Sequence, residues 1–168
     1  EKTGFVDIVL DPRDPNVIWA ASYQRVRSPY SLTSGGPGSA LWKSTDGGAT
    51  WAQMNNYNVR PFYYSQVRSD PKNPDRVYFS STDLQMSEDG GKSWEARDSS
   101  RNMVWRPFYF QKLVVDPTNA DRVFKMNLRV IVSDNAGKSF SDTAGGSHAD
   151  WHDVWVNPKN PKHLIGAD

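Results

Sequence analysis

The sequence predicts an all-β fold, a β-propeller of four-stranded antiparallel blades with about three and a half blades present as part of a larger ring. Two alternating turn motifs carry this prediction. An Asp-Pro turn begins at residues 11, 70 and 116, with an Asn-Pro version at 157, and a Ser-x-Asp or Ser-x-Asn turn begins at residues 44, 87 and 133. Their spacing gives a repeat of about 45 residues, which is typical of a blade. The segments between turns are rich in Val, Ile, Tyr, Phe and Trp and lack a helical apolar period.

Each predicted blade takes its strands from fixed positions around the two turns. Strand A precedes the Asp-Pro turn, strand B follows it, strand C leads into the second turn and strand D leaves it. Strand A is predicted at 5–10, 62–69, 108–115 and 152–156, and strand B at 17–23, 76–81, 122–126 and 163–166. The single partial propeller, residues 1–168, is divided into blade 1 (about 4–55), blade 2 (about 60–98), blade 3 (about 106–143) and the start of blade 4 (about 150–168). Since propellers close with roughly four to eight blades, we expect further blades or a second chain to complete the ring.

Composition restricts the partners and cofactors. The 168 residues include 20 basic and 19 acidic side chains, and the net charge of +1 gives no overall field that would attract nucleic acid or an anionic membrane. No apolar run approaches the roughly 18 residues of a membrane span. Cysteine is absent, which excludes disulfides and thiolate metal ligands. We expect no cofactor, no nucleic-acid partner and no membrane span.

The second turn motif has the residues of a tight hairpin turn. In the first copy, Asp46 is placed to accept hydrogen bonds from backbone N–H groups, Gly48 permits a positive φ, and Trp51 packs into the blade. A carboxylate that occurs once in every blade is expected to be structural, because a catalytic carboxylate occurs once in a site. The structural set predicted from the three copies is Asp46, Trp51, Asp89, Trp94, Asn135 and Phe140.

These turns resemble the Asp-box, or BNR repeat, of sialidases, sortilin-type receptors and xyloglucan-active endoglucanases. Together with the segment Gly35–Ser39 and the two Arg-Pro-Phe-Tyr repeats, they make the chain most similar to bacterial BNR-repeat glycosyl-hydrolase-like proteins with sortilin-type propellers. The resemblance implies a secreted, periplasmic or cell-surface protein that hydrolyses sugars, binds peptides or acts as a scaffold. The sialidase mechanism is disfavoured, since none of the three glutamates (Glu1, Glu88 and Glu95) is predicted on the face that would carry the site.

Blade topology separates two faces of the molecule. The A–B and C–D turns, which hold both motifs, share one face, here named the turn face. The B–C and D–A loops share the opposite face, the loop face, where we expect a glycan or peptide to bind at the mouth of the central channel. Arginines and tyrosines there suit carboxylate, phosphate or sugar ligands. The candidate ligand-binding residues are Arg25, Arg27, Arg60, Tyr63, Arg106, Tyr109, His148, Asp150 and His152.

Two loops on this face depart from the repeat. Residues 24–39 form an insertion in the B–C loop of blade 1, interpreted as a lid over the channel or as an edge that contacts another domain. In the third D–A loop, His148, Asp150 and His152 would point the same way on an extended strand. Four interpretations of these residues stay open from the sequence: a ligand site, an acid–base pair, a weak candidate metal site, or a hydrogen-bonded rim of the channel.

Three functions remain open from the sequence. The first is binding of a glycan or peptide. The second is glycoside hydrolysis by carboxylates on the loop face, for which Asp150, His152 and Asp153 are the catalytic candidates. The third is a non-catalytic scaffold in a surface assembly.

Overall fold

The fold is a partial β-propeller, as predicted. The computed structural model describes residues 2–56, 66–80, 82–103, 112–143 and 149–168. Within these ranges three blades have four strands in meander order, the first blade has a fifth strand paired outside this order, and a fourth sheet has two strands. No helix among the described residues is both long and apolar enough to cross a membrane.

The strands follow the predicted A–B–C–D order of each blade. The first blade contains β1 (Thr3–Leu10), β2 (Ile18–Ser28), β3 (Ser31–Ser34), β4 (Ala40–Ser44) and β5 (Ala52–Asn55). The second contains β6 (Gln66–Ser69), β7 (Val77–Ser80), β8 (Leu84–Ser87) and β9 (Glu95–Asp98). The third contains β10 (Leu113–Val115), β11 (Val123–Lys125), β12 (Ile131–Ser133) and β13 (Ser141–Asp142), and the two-stranded sheet contains β14 (Asp153–Val156) and β15 (Leu164–Ala167). A short 3-10 turn, Arg101–Met103, follows the second blade.

The hydrophobic core lies between blades rather than within them. Trp19, Ala21 and Leu41 of the first blade pack on Val67 and Phe79 of the second. Similar clusters join the second blade to the third and the third blade to the two-stranded sheet. Each blade therefore depends on its neighbours for burial, as in other repeat folds.

The A–B and C–D turns meet on one face, as the topology predicted. In each blade, one backbone N–H of the C–D turn donates to a carbonyl of the A–B turn. These bonds run from Gly47 to Asn16 at 3.0 Å, from Gly90 to Asp75 at 2.9 Å and from Ala136 to Asp121 at 2.8 Å. The turn face is therefore built from paired turns.

Each of the three C–D turns contains the same pattern of hydrogen bonds. Asp46 Oδ1 accepts from Ser44 Oγ at 2.7 Å and from Thr50 N at 2.9 Å, and Ser44 Oγ accepts from Gly48 N at 2.8 Å. Hydrogen bonds to its carboxylate lower the pKa of Asp46 to about 2, and the bond from the Thr50 side chain has the largest effect. In the third copy Asn135 takes the place of the aspartate and keeps the bond from Ser139 N at 2.9 Å. The hydrogen bonds account for the residue types of the motif, and the structural role of its residues stays a prediction.

The aromatic residue of each C–D turn packs on the side of its blade that faces the preceding one. Trp94 joins the cluster between the first and second blades, and Phe140 joins the cluster between the second and third. Trp51 instead remains 36% exposed and packs against Phe5, with ring centroids 5.9 Å apart. Its face of the first blade has no neighbouring blade among the described residues.

The insertion in the first blade is a hairpin rather than a loop. Strand β2 extends to Ser28 and turns through Pro29 and Tyr30 into β3, which pairs with it from Ser31 to Ser34. The alternation of polar and apolar residues is weak here, so the sequence predicts only a Gly-rich insertion. The insertion is thus a regular two-stranded ribbon, and its role as a lid over the channel or as an edge that contacts another domain stays a prediction.

Candidate functional site

A cavity of about 130 Å³ lies on the loop face between the second and third blades. It takes Asn102 from the connection after β9, Asn127 and Arg129 from the B–C loop of the third blade, and Asp142 from the end of β13. Ile131 and Phe140 supply its apolar wall. The cavity therefore presents amide, guanidinium and carboxylate groups beside an apolar surface.

Asn127 is the buried anchor of this cavity. Its side chain is almost fully enclosed, its Nδ2 donates to the Asn102 carbonyl at 2.9 Å, and its Oδ1 accepts from Leu128 N at 2.8 Å. These bonds join the connection after the second blade to the B–C loop of the third. The two loops are thus held in a fixed relation at the edge of the cavity.

An ion pair closes the outer side of the cavity. Arg129 Nη1 bonds Asp142 Oδ2, and the two side chains are 65% and 46% exposed. Such exposure means that the pair contributes little to stability. Both groups remain accessible to a ligand, and a guanidinium and carboxylate side by side match hydroxyl or carboxyl groups.

The innermost strands are linked across the blades by charged side chains. Asp7 Oδ2 accepts from Arg68 Nη1 at 2.7 Å, and Arg68 Nε donates to the Leu113 carbonyl at 2.9 Å. Farther along the ring, Lys112 pairs with Asp153, which was predicted as a catalytic candidate. Both carboxylates are therefore ion-paired on strands that border the centre of the ring.

A fully buried lysine lies near these inner strands. Lys125, the last residue of β11, has its Nζ 3.3 Å from Ser80 Oγ at the end of β7. Burial, and then the positive charge of Arg68, lower its pKa to about 7. The sequence analysis did not single out this residue, because a lone lysine at the end of a strand is usually solvent-exposed.

Several predicted site residues lie outside the residues that the structure describes. They are Arg60, Tyr63, Arg106, Tyr109 and His148. The structure gives no geometry for the Arg-Pro-Phe-Tyr repeats, so their role at the channel mouth stays a prediction.

The third D–A loop does not have the extended geometry assumed for it. Asp150 adopts a φ of 67°, in the left-handed region, and the strand begins only at Asp153. The regular alternation that would align Asp150 with His152 therefore fails, since it requires extended backbone. Among the described residues, no group of three or more His, Asp or Glu side chains is arranged to hold a metal ion.

The two predicted arginines of the first blade lie on the hairpin. Arg25 is paired with Ser34 and Arg27 with Leu32 across the β2–β3 ladder, so both arginines are on the same face of the ribbon. They belong to a different part of the loop face from the cavity between the second and third blades.

Sequence reasoning missed the residues of the cavity. Asn102, Asn127, Arg129 and Asp142 do not recur in every blade, and none belongs to either turn motif. The available signal was their position, since Asn127 and Arg129 stand in a short B–C loop on the face already favoured for binding. Their convergence depends on how two blades pack, which a repeat pattern does not encode.

Comparison with known proteins identifies the fold. No family model and no curated protein matches the chain. Among solved structures, an ancestral GH74 enzyme superposes with a TM-score of 0.65 at 19% identity, over 96% of this chain and 21% of that one. YCF48 bound to D1 peptide superposes with a TM-score of 0.61 at 13% identity, over 95% of this chain and 47% of that one. The GH74 xyloglucanase from Xanthomonas campestris superposes with a TM-score of 0.55 at 13% identity, over 90% of this chain and 32% of that one.

The chain spans between about a fifth and a half of these structures. Identities this low establish the fold alone. The chain is a partial β-propeller, similar in backbone to glycoside hydrolases and to a propeller solved with a bound peptide.

Proposed function

We propose that this protein is a glycan-binding propeller that holds its ligand on the loop face. The observation that carries the proposal is the cavity between the second and third blades, where Asn102, Asn127 and the Arg129–Asp142 pair surround an apolar wall. Hydroxyl groups of a sugar need donors and acceptors together, and the apolar face of a sugar ring needs an apolar partner. The cavity offers both.

The size of the cavity favours one unit of a longer ligand. Sites for drug-sized molecules enclose roughly 300–1,000 Å³, whereas this one measures about 130 Å³. A single sugar ring inserts while the rest of the chain lies across the loop face. The GH74 enzymes among the structural neighbours, one of them a xyloglucanase, support an oligosaccharide as the ligand class.

The test is titration of the protein with xyloglucan oligosaccharides and with cello-oligosaccharides by calorimetry. Arg129→Ala is expected to weaken binding at least tenfold, because it removes the cavity's guanidinium. Lys138→Ala, an exposed cation on the turn face, is the matched control and is expected to bind like the wild type. Absence of binding to every neutral glycan, or equal losses in both variants, would refute the proposal.

A glycoside hydrolase is the second candidate, favoured by one observation. Asp150 has a left-handed backbone on the loop face and stands three residues before Asp153. Unfavourable backbone geometry often concentrates at active sites, although aspartate tolerates it better than most residues. Release of reducing ends from xyloglucan, lost in Asp150→Asn, would support hydrolysis; binding without product would support the glycan-binding role.

Further blades are proposed to complete the ring on two apolar faces. On β1, Phe5, Ile8 and Leu10 are each more than half exposed, and on the two-stranded sheet Trp155 and Ile165 are about half exposed. Exposed apolar surfaces of this kind mark packing interfaces. The hydrogen-bond networks of the C–D turns support membership of the Asp-box family, and with it an extracytoplasmic location. Native mass, measured on the protein from its source, distinguishes further blades in one polypeptide from assembly with a second chain.

A further inference from the structure

The β2–β3 hairpin is an ordered projection from the first blade. Strand β2 has 11 residues, whereas the corresponding strands β7 and β11 have 4 and 3. At the tip, the hydroxyl groups of Ser28 and Ser31 are 2.8 Å apart, and Tyr30 is 97% exposed. The ribbon therefore extends beyond the blade with its tip in solvent.

The base of the hairpin is tightly held. Gln24 Oε1 accepts from Gly38 N at 2.7 Å, and the Gln24 carbonyl accepts from Gly35 N at 3.0 Å. A Cβ at Gly36 would lie 2.7 Å from Gln24 Cδ, so a side chain there would displace the Gln24 amide that accepts from Gly38 N. The projection is thus fixed in direction relative to the blade.

One face of the ribbon is cationic and overlooks the second blade. Arg25 and Arg27 are separated from Trp19 by even numbers of residues along β2 and therefore lie on the same face, and Trp19 packs in the core between the first two blades. No aspartate or glutamate occurs between Asn16 and Thr45. The Arg27 side chain is exposed to solvent. The hairpin therefore carries a local positive charge that the near-neutral chain conceals.

Among the described residues, β3 pairs only with β2, so no described strand covers its outer edge. The two-residue tip makes Ser31 and Thr33 bond to β2, so the N–H and C=O groups of Leu32 and Ser34 point away from the ribbon. All four residues of β3 are exposed, and none is charged or a proline. Edge strands are normally protected by such residues. An unprotected edge is a site where an extended peptide adds as a strand.

The cationic face of the ribbon and the outer edge of β3 favour the same ligand. On a strand paired with β3, the residues opposite Leu32 and Ser34 lie on the arginine face and are two positions apart. The arginines stand one strand farther away, at about twice the 4.8 Å strand spacing, which a long guanidinium side chain spans. Carboxylates at alternate positions of the added strand would meet the two guanidinium groups.

We propose that the hairpin binds an extended acidic segment of a partner protein, which pairs with β3 and places alternate Asp or Glu side chains against Arg25 and Arg27. This site is separate from the glycan cavity and does not depend on it. The backbone bonds supply affinity, and the arginines select the acidic sequence.

The test uses a fluorescein-labelled ten-residue peptide that alternates Glu with Thr, and a matched peptide that alternates Gln with Thr. Fluorescence anisotropy is measured with the full chain at low and at physiological salt. We expect the Glu peptide to bind at least tenfold more tightly than the Gln peptide, and its affinity to fall as salt rises. Equal affinity for both peptides would overturn the proposal.

Two variants separate the contributions of charge and edge. Arg27→Gln removes one guanidinium, and Leu32→Pro removes an outward N–H that only an added strand would use. Each variant is expected to bind the Glu peptide at least fivefold more weakly than the wild type. The control variant Lys138→Gln, on the turn face, is expected to bind the Glu peptide with unchanged affinity. The melting temperature of each variant verifies the fold. Full binding by Leu32→Pro, or preference for an anionic oligosaccharide over the Glu peptide, would overturn strand addition.

Discussion

Replacing Lys125 with methionine tests whether the third blade buries a charge at a cost to stability. The lysine side chain is completely buried, and its described neighbours include Ser80 Oγ at 3.3 Å and the cation Arg68. Methionine has a similar length and no charge, so Lys125→Met keeps the packing and removes the ammonium group. The result depends on pH in a direction that the pKa of Lys125 determines.

The pKa of Lys125 falls from 10.5 to about 7 on folding. Each pKa unit corresponds to about 1.4 kcal/mol, so the burial penalty is roughly 5 kcal/mol. Between pH 7 and 10.5 the unfolded chain holds a proton that the folded chain lacks, and the free energy of unfolding therefore rises with pH in that window. Below about pH 7 the folded lysine is also protonated, and the penalty is complete.

Urea denaturation followed by tryptophan fluorescence measures this effect. At pH 7 we expect Lys125→Met to be more stable than the wild type by a few kcal/mol, on the order of the burial penalty less the interactions that the ammonium group loses. The difference in free energy of unfolding between Lys125→Met and the wild type should narrow at pH 9.5. Tyr78 is not yet ionised at this pH, because burial raises its pKa to about 12. Lys138→Met controls for the substitution at an exposed site. A destabilised Lys125→Met at pH 7, or a wild type without the pH slope, would refute the reasoning.

Three further predictions concern the turn face. Gly91→Ala should lower the free energy of unfolding by about 2–5 kcal/mol, since its Cβ would lie 2.7 Å from Trp19 and its φ is +90°. Gly48→Ala has a similar φ, but its Cβ would make only ordinary contacts at 3.7 Å or more, so it should cost only about 1–2 kcal/mol. Equal losses in chemical denaturation would contradict this. Asp89→Asn should melt near the wild-type temperature and Asp89→Ala clearly below it, because asparagine keeps the acceptor for Ser93 N. The stabilising effect of ionised Asp46 is complete above pH 3.8 and is lost as pH falls towards 2, so Asp46→Asn should flatten the acid limb of a melting-temperature profile.

The turn motifs were predictable because their chemistry is local. Asp46 bonds Ser44 and Thr50, all within one turn, so residue identity and spacing contain the whole arrangement. The same holds for the left-handed glycines, where only Ala136 departs from the pattern with a φ of 58°. Repetition of a local device at blade spacing then specified the fold.

The candidate sites were less predictable because they depend on packing between blades. The cavity joins Asn102 to Asn127 across a blade boundary, and the hairpin needs the pairing of Arg27 with Leu32 around a two-residue tip. Neither contact has a spacing that recurs. The Asp150 backbone shows the same limit, since extended geometry was the reasonable expectation for a segment that enters a strand.

The distribution of bonds between the two faces explains how this scaffold accommodates different ligands. On the turn face, Arg13 donates to the Lys72 carbonyl and Lys72 donates to that of Thr118, so neighbouring A–B turns are linked across the blade boundaries. The described B–C loops of the loop face differ from blade to blade in length and sequence. Structures at 13–19% identity share this fold, although one is a xyloglucanase and another holds a peptide. Fold similarity therefore does not identify the ligand of this chain. Variants of Arg129 and Arg27 can identify it, because these residues lie in two different parts of the loop face, away from the bonds of the turn face.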